Sequence, residues 1–130
     1  METLTRSKED YLETILMIRK EKGYCLSVDV AHHLSVTKAS VSVALKGLER
    51  GGYIFREGNN VHLTPSGMAI ATSTLEKHQF FTEAFLRMGI SAETAEHDAC
   101  LVEHSISEES FEKIKNCWNL ATQKAECCAQ

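Results

Sequence analysis

Six side chains able to bind a metal fall on three segments that read as helices: Asp10 and Glu13, then His78, then Cys100, Glu103 and His104 in the run Cys-x-x-Glu-His. The last three stand at i, i+3 and i+4, so one helix face would present all of them. Asp10 and Glu13 repeat the i, i+3 spacing. Carboxylate, imidazole and thiolate together suit a divalent first-row transition metal better than calcium or magnesium. Each signal also has an ordinary explanation. Cys100 could be a core residue beside two solvated polar ones, Asp10 and Glu13 a wet helix face, and His78 part of a stripe with Phe81, Phe85 and Met88. Yet Ala95, Ala99, Val102 and Ile106 already give the Cys100 helix an apolar stripe, so it does not need the thiol for its core. Glu96 and His97 lie one turn earlier and offer a weaker second site.

The elements that would position these residues can be read from caps and periodicity. Ser7 is suited to cap a first helix running to about Lys22, with Asp10 at the acidic place of a capping box and Gly23 as its stop. Ser27 caps Val28–Leu34, and Thr37 caps Lys38–Arg50, whose buried stripe is Val41, Leu45 and Leu48. A short helix, a tight turn and a longer helix make a helix-turn-helix. Tyr53–Arg56 and Val61–Thr64 flank a turn-rich tetrapeptide and read as a hairpin, the wing of a winged helix. Thr64-Pro65 opens a long helix to about Met88. Ser91 caps the Cys-x-x-Glu-His helix and Ser107 a last one to about Trp118. Beyond Asn119 the apolar pattern fades and a frayed tail is expected.

Composition permits this reading. The 130 residues carry a net charge of −4, which divides into +1 for residues 1–72 and −5 for 73–130. The front part is therefore close to neutral, and a bound cation would make it more basic, as phosphate contact requires. There is no apolar run of bilayer length and no signal-peptide pattern at Met1–Arg6, so a cytoplasmic chain with no membrane partner is expected. Five cysteines without framework spacing argue against a disulfide scaffold. Candidate DNA contacts are Ser7, Thr37, Lys38, Ser40, Ser42, Lys46 and Arg56. Most open the third helix, where amide groups and small polar side chains can face phosphate and base edges.

Glu9-Asp10-Tyr11-Leu12-Glu13, Ala39-Ser40-Val41-Ser42, Leu63-Thr64-Pro65-Ser66-Gly67, His78 and Ala99-Cys100 followed by Glu103-His104 together resemble the diphtheria-toxin-repressor family of metal-dependent regulators. The resemblance covers roughly residues 4–118. Its short form, the manganese-transport-regulator branch without the SH3-like domain, fits this length best. The resemblance implies a mainly α fold, with a winged helix-turn-helix DNA-binding domain (1–72) followed by a helical metal-binding and dimerisation domain (73–130). It implies a homodimer on a pseudo-palindromic operator, repression of metal uptake when metal is plentiful, and no enzymatic activity.

Asp10, Glu13, His78, Glu103 and His104 match ligand positions of the manganese branch. Position 100 departs, since short manganese regulators often carry glutamate there and the longer iron-responsive members cysteine. The iron-responsive members in turn tend to have methionine in place of Asp10. The hybrid set makes Mn²⁺ and Fe²⁺ the expected metals, with Zn²⁺, Co²⁺ or Ni²⁺ acceptable in vitro. Val43 stands where some members carry a DNA-facing glutamine, so the operator sequence does not transfer. Two other readings of the chain are a metal-independent winged helix with Cys100 as redox or ligand sensor, and a small metallohydrolase with Glu103 or Glu13 as base. A structural zinc module fits less well, because such sites prefer closed Cys/His sets.

Overall fold

Helix caps and turn residues set nearly every boundary of this chain. The computed structural model describes residues 5–129, with side chains through residue 124. In order, the elements are α1 (Arg6–Lys22), α2 (Ser27–Leu34), α3 (Lys38–Arg50), β1 (Ile54–Glu57), β2 (Asn60–Leu63), α4 (Pro65–Arg87), α5 (Ala92–Glu103) and α6 (Glu108–Ala129). The chain divides into two units, Met1–Glu76 and Lys77–Gln130.

In the first unit, Leu12, Ile15, Val30, Val41, Leu45, Leu48, Ile54 and Val61 are fully buried or nearly so. They come from α1, α2, α3 and the hairpin at the spacings that put apolar side chains on one face. α1 begins earlier than the Ser7 cap predicted. Thr5 is the N-cap, its hydroxyl accepting from the Lys8 N–H. Two hydroxyls stand two residues apart here, and the upstream one wins because each added residue gains a backbone bond at little cost. Asp10 is consequently not a capping-box residue, and Ser7 lies exposed inside the helix.

α2 also starts differently from the expected Ser27 cap. Leu26 is the N-cap, held extended by its bridge to Asn60. Its N–H donates to the Asp29 carboxylate at 3.1 Å. That bond, followed by the Lys22 ammonium at 3.1 Å, holds the Asp29 pKa below the ordinary aspartate value. The ion pair is solvent-facing and contributes little; the cap contributes more. A depressed folded-state pKa stabilises above the unfolded value of about 3.9 and stops doing so as pH falls through the folded one. Asp29→Ala is therefore expected to cost about 1 kcal/mol at neutral pH. The deficit should shrink below about pH 4, which thermal unfolding of both proteins at two pH values would check.

The hairpin pairs Arg56 with Val61, as the expected strands imply, but each strand lies one residue nearer the turn than expected. Its turn is the dipeptide Gly58-Asn59 rather than four residues, with Glu57 opposite Asn60 and Ile54 opposite Leu63. Gly58 adopts φ 63°, which a two-residue hairpin turn with glycine first demands. The Arg19 guanidinium donates to the Asn60 side-chain oxygen and to the Val61 carbonyl, each at 3.1 Å. The same Asn60 oxygen accepts the Cys25 N–H at 3.0 Å. The wing is thereby tied to α1 and to the loop that follows it.

Cys25 is wholly buried, and burial pushes its thiol up to about 11, with Asp29 adding to the effect. The thiolate is the reactive form. Iodoacetamide at mildly alkaline pH should therefore leave Cys25 unmodified in the native protein while labelling the exposed Cys117. Peptide mapping that found equal labelling at both would contradict this burial.

In the second unit, Phe81, Ala99 and Phe111 form the core, with Phe80, Phe85, Val102 and Ile106 packed on them. The Phe80 and Phe111 rings meet edge to face at 5.5 Å. The Lys77 ammonium pairs with Glu108 and lies over the Phe111 ring. Ser91 caps α5 as its sequence suggests, and Ser107 accepts the Ser110 N–H at the start of α6. α6 runs to Ala129 instead of fraying after Trp118. Leu120-Ala121-Thr122-Gln123-Lys124-Ala125 contains no glycine or proline, and propensity sustains the helix where amphipathic pattern is weak. Among the described residues no helix is long and apolar enough to cross a membrane.

Candidate metal centre

The end of α5 gathers the donors of the second unit. Ala95 and Ala99 are fully buried, and their small side chains let α5 pack closely, turning Cys100 and Glu103 to one side. Glu103 is the last helical residue and only 2% exposed. One of its oxygens lies 2.8 Å from His78 Nδ1 on α4. The other lies 3.1 Å from Nε2 of His104, the α5 C-cap. Cys100 is half-buried one turn upstream. One ligand atom from each of Cys100, Glu103 and His104 falls within 4.8 Å of the others. The Cys-x-x-Glu-His spacing thus does bring its three donors together, and His78 joins them through Glu103.

A carboxylate so far from water is costly unless a cation or hydrogen-bond donors compensate it. The two imidazoles can do so through N–H groups at the atoms that face Glu103. A divalent cation can replace those protons, and the oxygen, nitrogen and sulfur donors suit a transition metal. The donor set fits the metal that the sequence implied.

In the first unit, Asp10 and Glu13 lie one turn apart on α1, Asp10 half-buried and Glu13 only 6% exposed. A buried carboxylate among Tyr11, Leu12 and Ile15 is unusual for a purely structural helix face. Glu96 and His97 are exposed, and no three-donor group forms around them among the described residues.

Of the candidate DNA contacts, Ser40 and Lys46 lie away from the buried stripe of α3, Lys38 and Ser42 nearer its flank, Arg56 on the wing and Ser7 on α1. Lys38, Ser40 and Lys46 are exposed on α3, as is Arg56 on β1, while Ser42 is half-buried. Thr37 is engaged as the α3 cap, its hydroxyl accepting the Ser40 N–H at 3.1 Å. Ser7 is exposed on α1. On the wing, His62 is half-buried and stacks on Phe55 at 4.9 Å. Arg50 was not among the candidates, although it is exposed one turn beyond Lys46 on the same face. Helical spacing from Lys46 is the signal that would have found it.

Comparison with known proteins bears on both halves of the chain. Residues 3–60 match the iron dependent repressor N-terminal DNA binding domain, and residues 64–124 its metal binding and dimerisation domain. The HTH-type transcriptional regulator MntR of Geobacillus thermodenitrificans is 34% identical over 112 residues, covering 85% of this chain and 79% of that one. The transcriptional regulator MntR of Escherichia coli O157:H7 is 35% identical over 117 residues, 89% of this chain and 73% of its own. Among solved structures, the T. acidophilum IdeR superposes with a TM-score of 0.76 at 28% identity over 92% of this chain. This chain spans 56% of that structure's length. With a helix-turn-helix, a wing and a carboxylate–imidazole–thiolate cluster in the parts those domains match, the chain belongs to the iron dependent repressor family of metal-dependent, DNA-binding transcriptional repressors.

Proposed function

We propose that Asp10, Glu13, His78, Cys100, Glu103 and His104 together hold a divalent transition metal, Mn²⁺ or Fe²⁺, and that this metal controls repression of metal-homeostasis genes in the cytoplasm. The observation that carries the reading is the buried Glu103 carboxylate between two imidazoles, with Cys100 one turn away. Residues 1–72 read DNA and residues 73–130 bind metal and dimerise. The chain acts by binding and catalyses nothing. Ser7, Thr37, Lys38, Ser40, Ser42, Lys46 and Arg56 contact the operator, phosphate chiefly through the cations.

When bound, the metal supplies the positive charge that this acidic set otherwise lacks. Without it, the like charges of Asp10, Glu13 and Glu103 disfavour bringing α1 to the α5 donors. Relief of that repulsion fixes α1, and Arg19 links α1 to the wing through Asn60 and Val61. A dimer so fixed presents its two α3 helices to major grooves about 34–36 Å apart, or a multiple of this, on a pseudo-palindromic site. Loading releases protons from the ligands, so metal affinity falls as the medium is acidified.

Cobalt tests the ligand set directly. Co²⁺ titrated into the apoprotein is expected to give a near-ultraviolet thiolate-to-metal charge-transfer band, absent from Cys100→Ser while the weaker visible bands persist. A band that survives in Cys100→Ser, or never forms in the native protein, would remove Cys100 from the site.

A further inference from the structure

Among the exposed large apolar side chains of the described residues, Val43 is the most open, at 71%. It lies in the middle of α3, and at 100° per residue it points directly away from the buried Val41, Leu45 and Leu48. Around it on the same outward face stand Ala39, Ser40, Lys46, Gly47 and Arg50. The centre of this face is thus small and apolar, with cations only toward its C-terminal end. Ala39 and Val43 offer no hydrogen bond to a base edge.

Gly47 adds an independent observation. A glycine inside a helix costs about 1 kcal/mol relative to alanine. Among the described residues a Cβ at Gly47 would meet nothing within 4 Å, and its φ is not in the left-handed region, so neither close packing nor backbone conformation calls for the glycine. That open space leaves room for a partner to approach α3 closely beside Val43.

We propose that Val43 is a specificity-determining residue of this repressor, reading the C5-methyl group of thymine in the operator's major groove. This rests on the reading of α3 as the recognition helix. Thymine is the base that presents a methyl group in that groove, and apolar side chains are its complement. The absence of a side chain at Gly47 brings the helix close enough for a valine, shorter than the usual hydrogen-bonding side chains, to reach the base. Lys46 and Arg50 hold the flanking phosphates.

The probe is a duplex selected from a random-sequence pool by the Mn²⁺-loaded native protein, compared with versions carrying deoxyuridine at each thymine in turn. Uracil pairs identically and lacks only the methyl. At one or more thymines in each half-site, native binding by fluorescence anisotropy should weaken about fourfold, the worth of one buried methyl-sized group. Val43→Ala, a change on the open surface, should weaken binding to the thymine duplex by a similar factor and be indifferent to uridine at those positions. A selected site with no thymine in its half-sites, or an equal uridine penalty for native and Val43→Ala, overturns the assignment. Lys46→Ala and Arg50→Ala separate this from failure of the underlying reading. If α3 faces DNA, both lower affinity and flatten its salt dependence; if neither does, the recognition-helix reading falls, and the Val43 assignment with it.

Discussion

Glu103→Gln is expected to yield a folded dimer whose DNA affinity no longer responds to metal. The substitution keeps the side-chain volume and a carbonyl oxygen for one imidazole, so the packing around Ala99 and Phe111 should survive. What disappears is the negative charge at the place where His78, His104 and Cys100 converge. Coupling between an effector site and a binding site of this kind typically amounts to about 1–3 kcal/mol, a 5–150-fold change in affinity. In Glu103→Gln that gain should fall to within about twofold, below the typical range of such couplings. Circular dichroism and gel filtration establish that fold and dimer persist, and anisotropy with and without Mn²⁺ reads the coupling. A full metal response in this variant would show that Glu103 is not a ligand. Glu103→Ala and Cys100→Ala should behave alike, since each removes a donor from the same cluster.

Gly67→Ala should be among the most damaging single methyl additions in the DNA-binding unit. A Cβ at Gly67 would stand 1.9 Å from the Tyr53 carbonyl oxygen and 2.9 Å from its carbon. Both are backbone, and that backbone is committed: the Tyr53 carbonyl accepts the Thr64 N–H at 3.1 Å, and Thr64 caps α4 through the Gly67 N–H at 3.1 Å. Making room means separating the start of α4 from the strand that begins the wing. Overpacking of this kind costs about 3 kcal/mol or more where nothing can yield, a large part of a typical stability of about 5–15 kcal/mol.

Two other glycines calibrate the effect. At Gly51 the new Cβ would meet the Tyr53 ring at 2.8 Å, a side chain that can swing aside, so Gly51→Ala should cost less. At Gly47 there is open space, and Gly47→Ala should be neutral or stabilise by up to about 1 kcal/mol. Thermal unfolding of the three variants should give that order. Gly67→Ala unfolding at the same temperature as the native protein would show that α4 and the wing are not packed as described.

Much of this architecture is written in short-range chemistry. Thr37, Ser91, Ser107 and Thr64-Pro65 each announce a helix start, and the structure starts helices there because a hydroxyl satisfying an otherwise orphaned amide is a local event. The Cys-x-x-Glu-His cluster was legible for a similar reason, since helical spacing alone brings its three donors together. Structure departs from local sequence signals where two local solutions compete or where tertiary pairing decides. Thr5 and Ser7 both suit a cap. Leu26 has no capping group and becomes one only because Asn60, distant in sequence, holds it extended. The four-residue turn shortened to two because Gly58 tolerates a positive φ, which composition cannot distinguish from a looser loop. The continuation of α6 past Trp118 follows propensity that an amphipathic pattern conceals. The exposure of Val43 and the tight place of Gly67 are properties of packing, with no mark in the residues themselves.

Fluorescence anisotropy of the purified protein on its own upstream intergenic DNA tests most directly whether a divalent metal governs DNA binding. At one fixed salt concentration, because phosphate contacts make affinity salt-dependent, the titration is run with EDTA, Mn²⁺, anaerobic Fe²⁺ and Zn²⁺. The expected result is binding at least about fivefold tighter with Mn²⁺ or Fe²⁺ than with EDTA. Equal affinity in EDTA and in every metal would contradict metal control of this repressor.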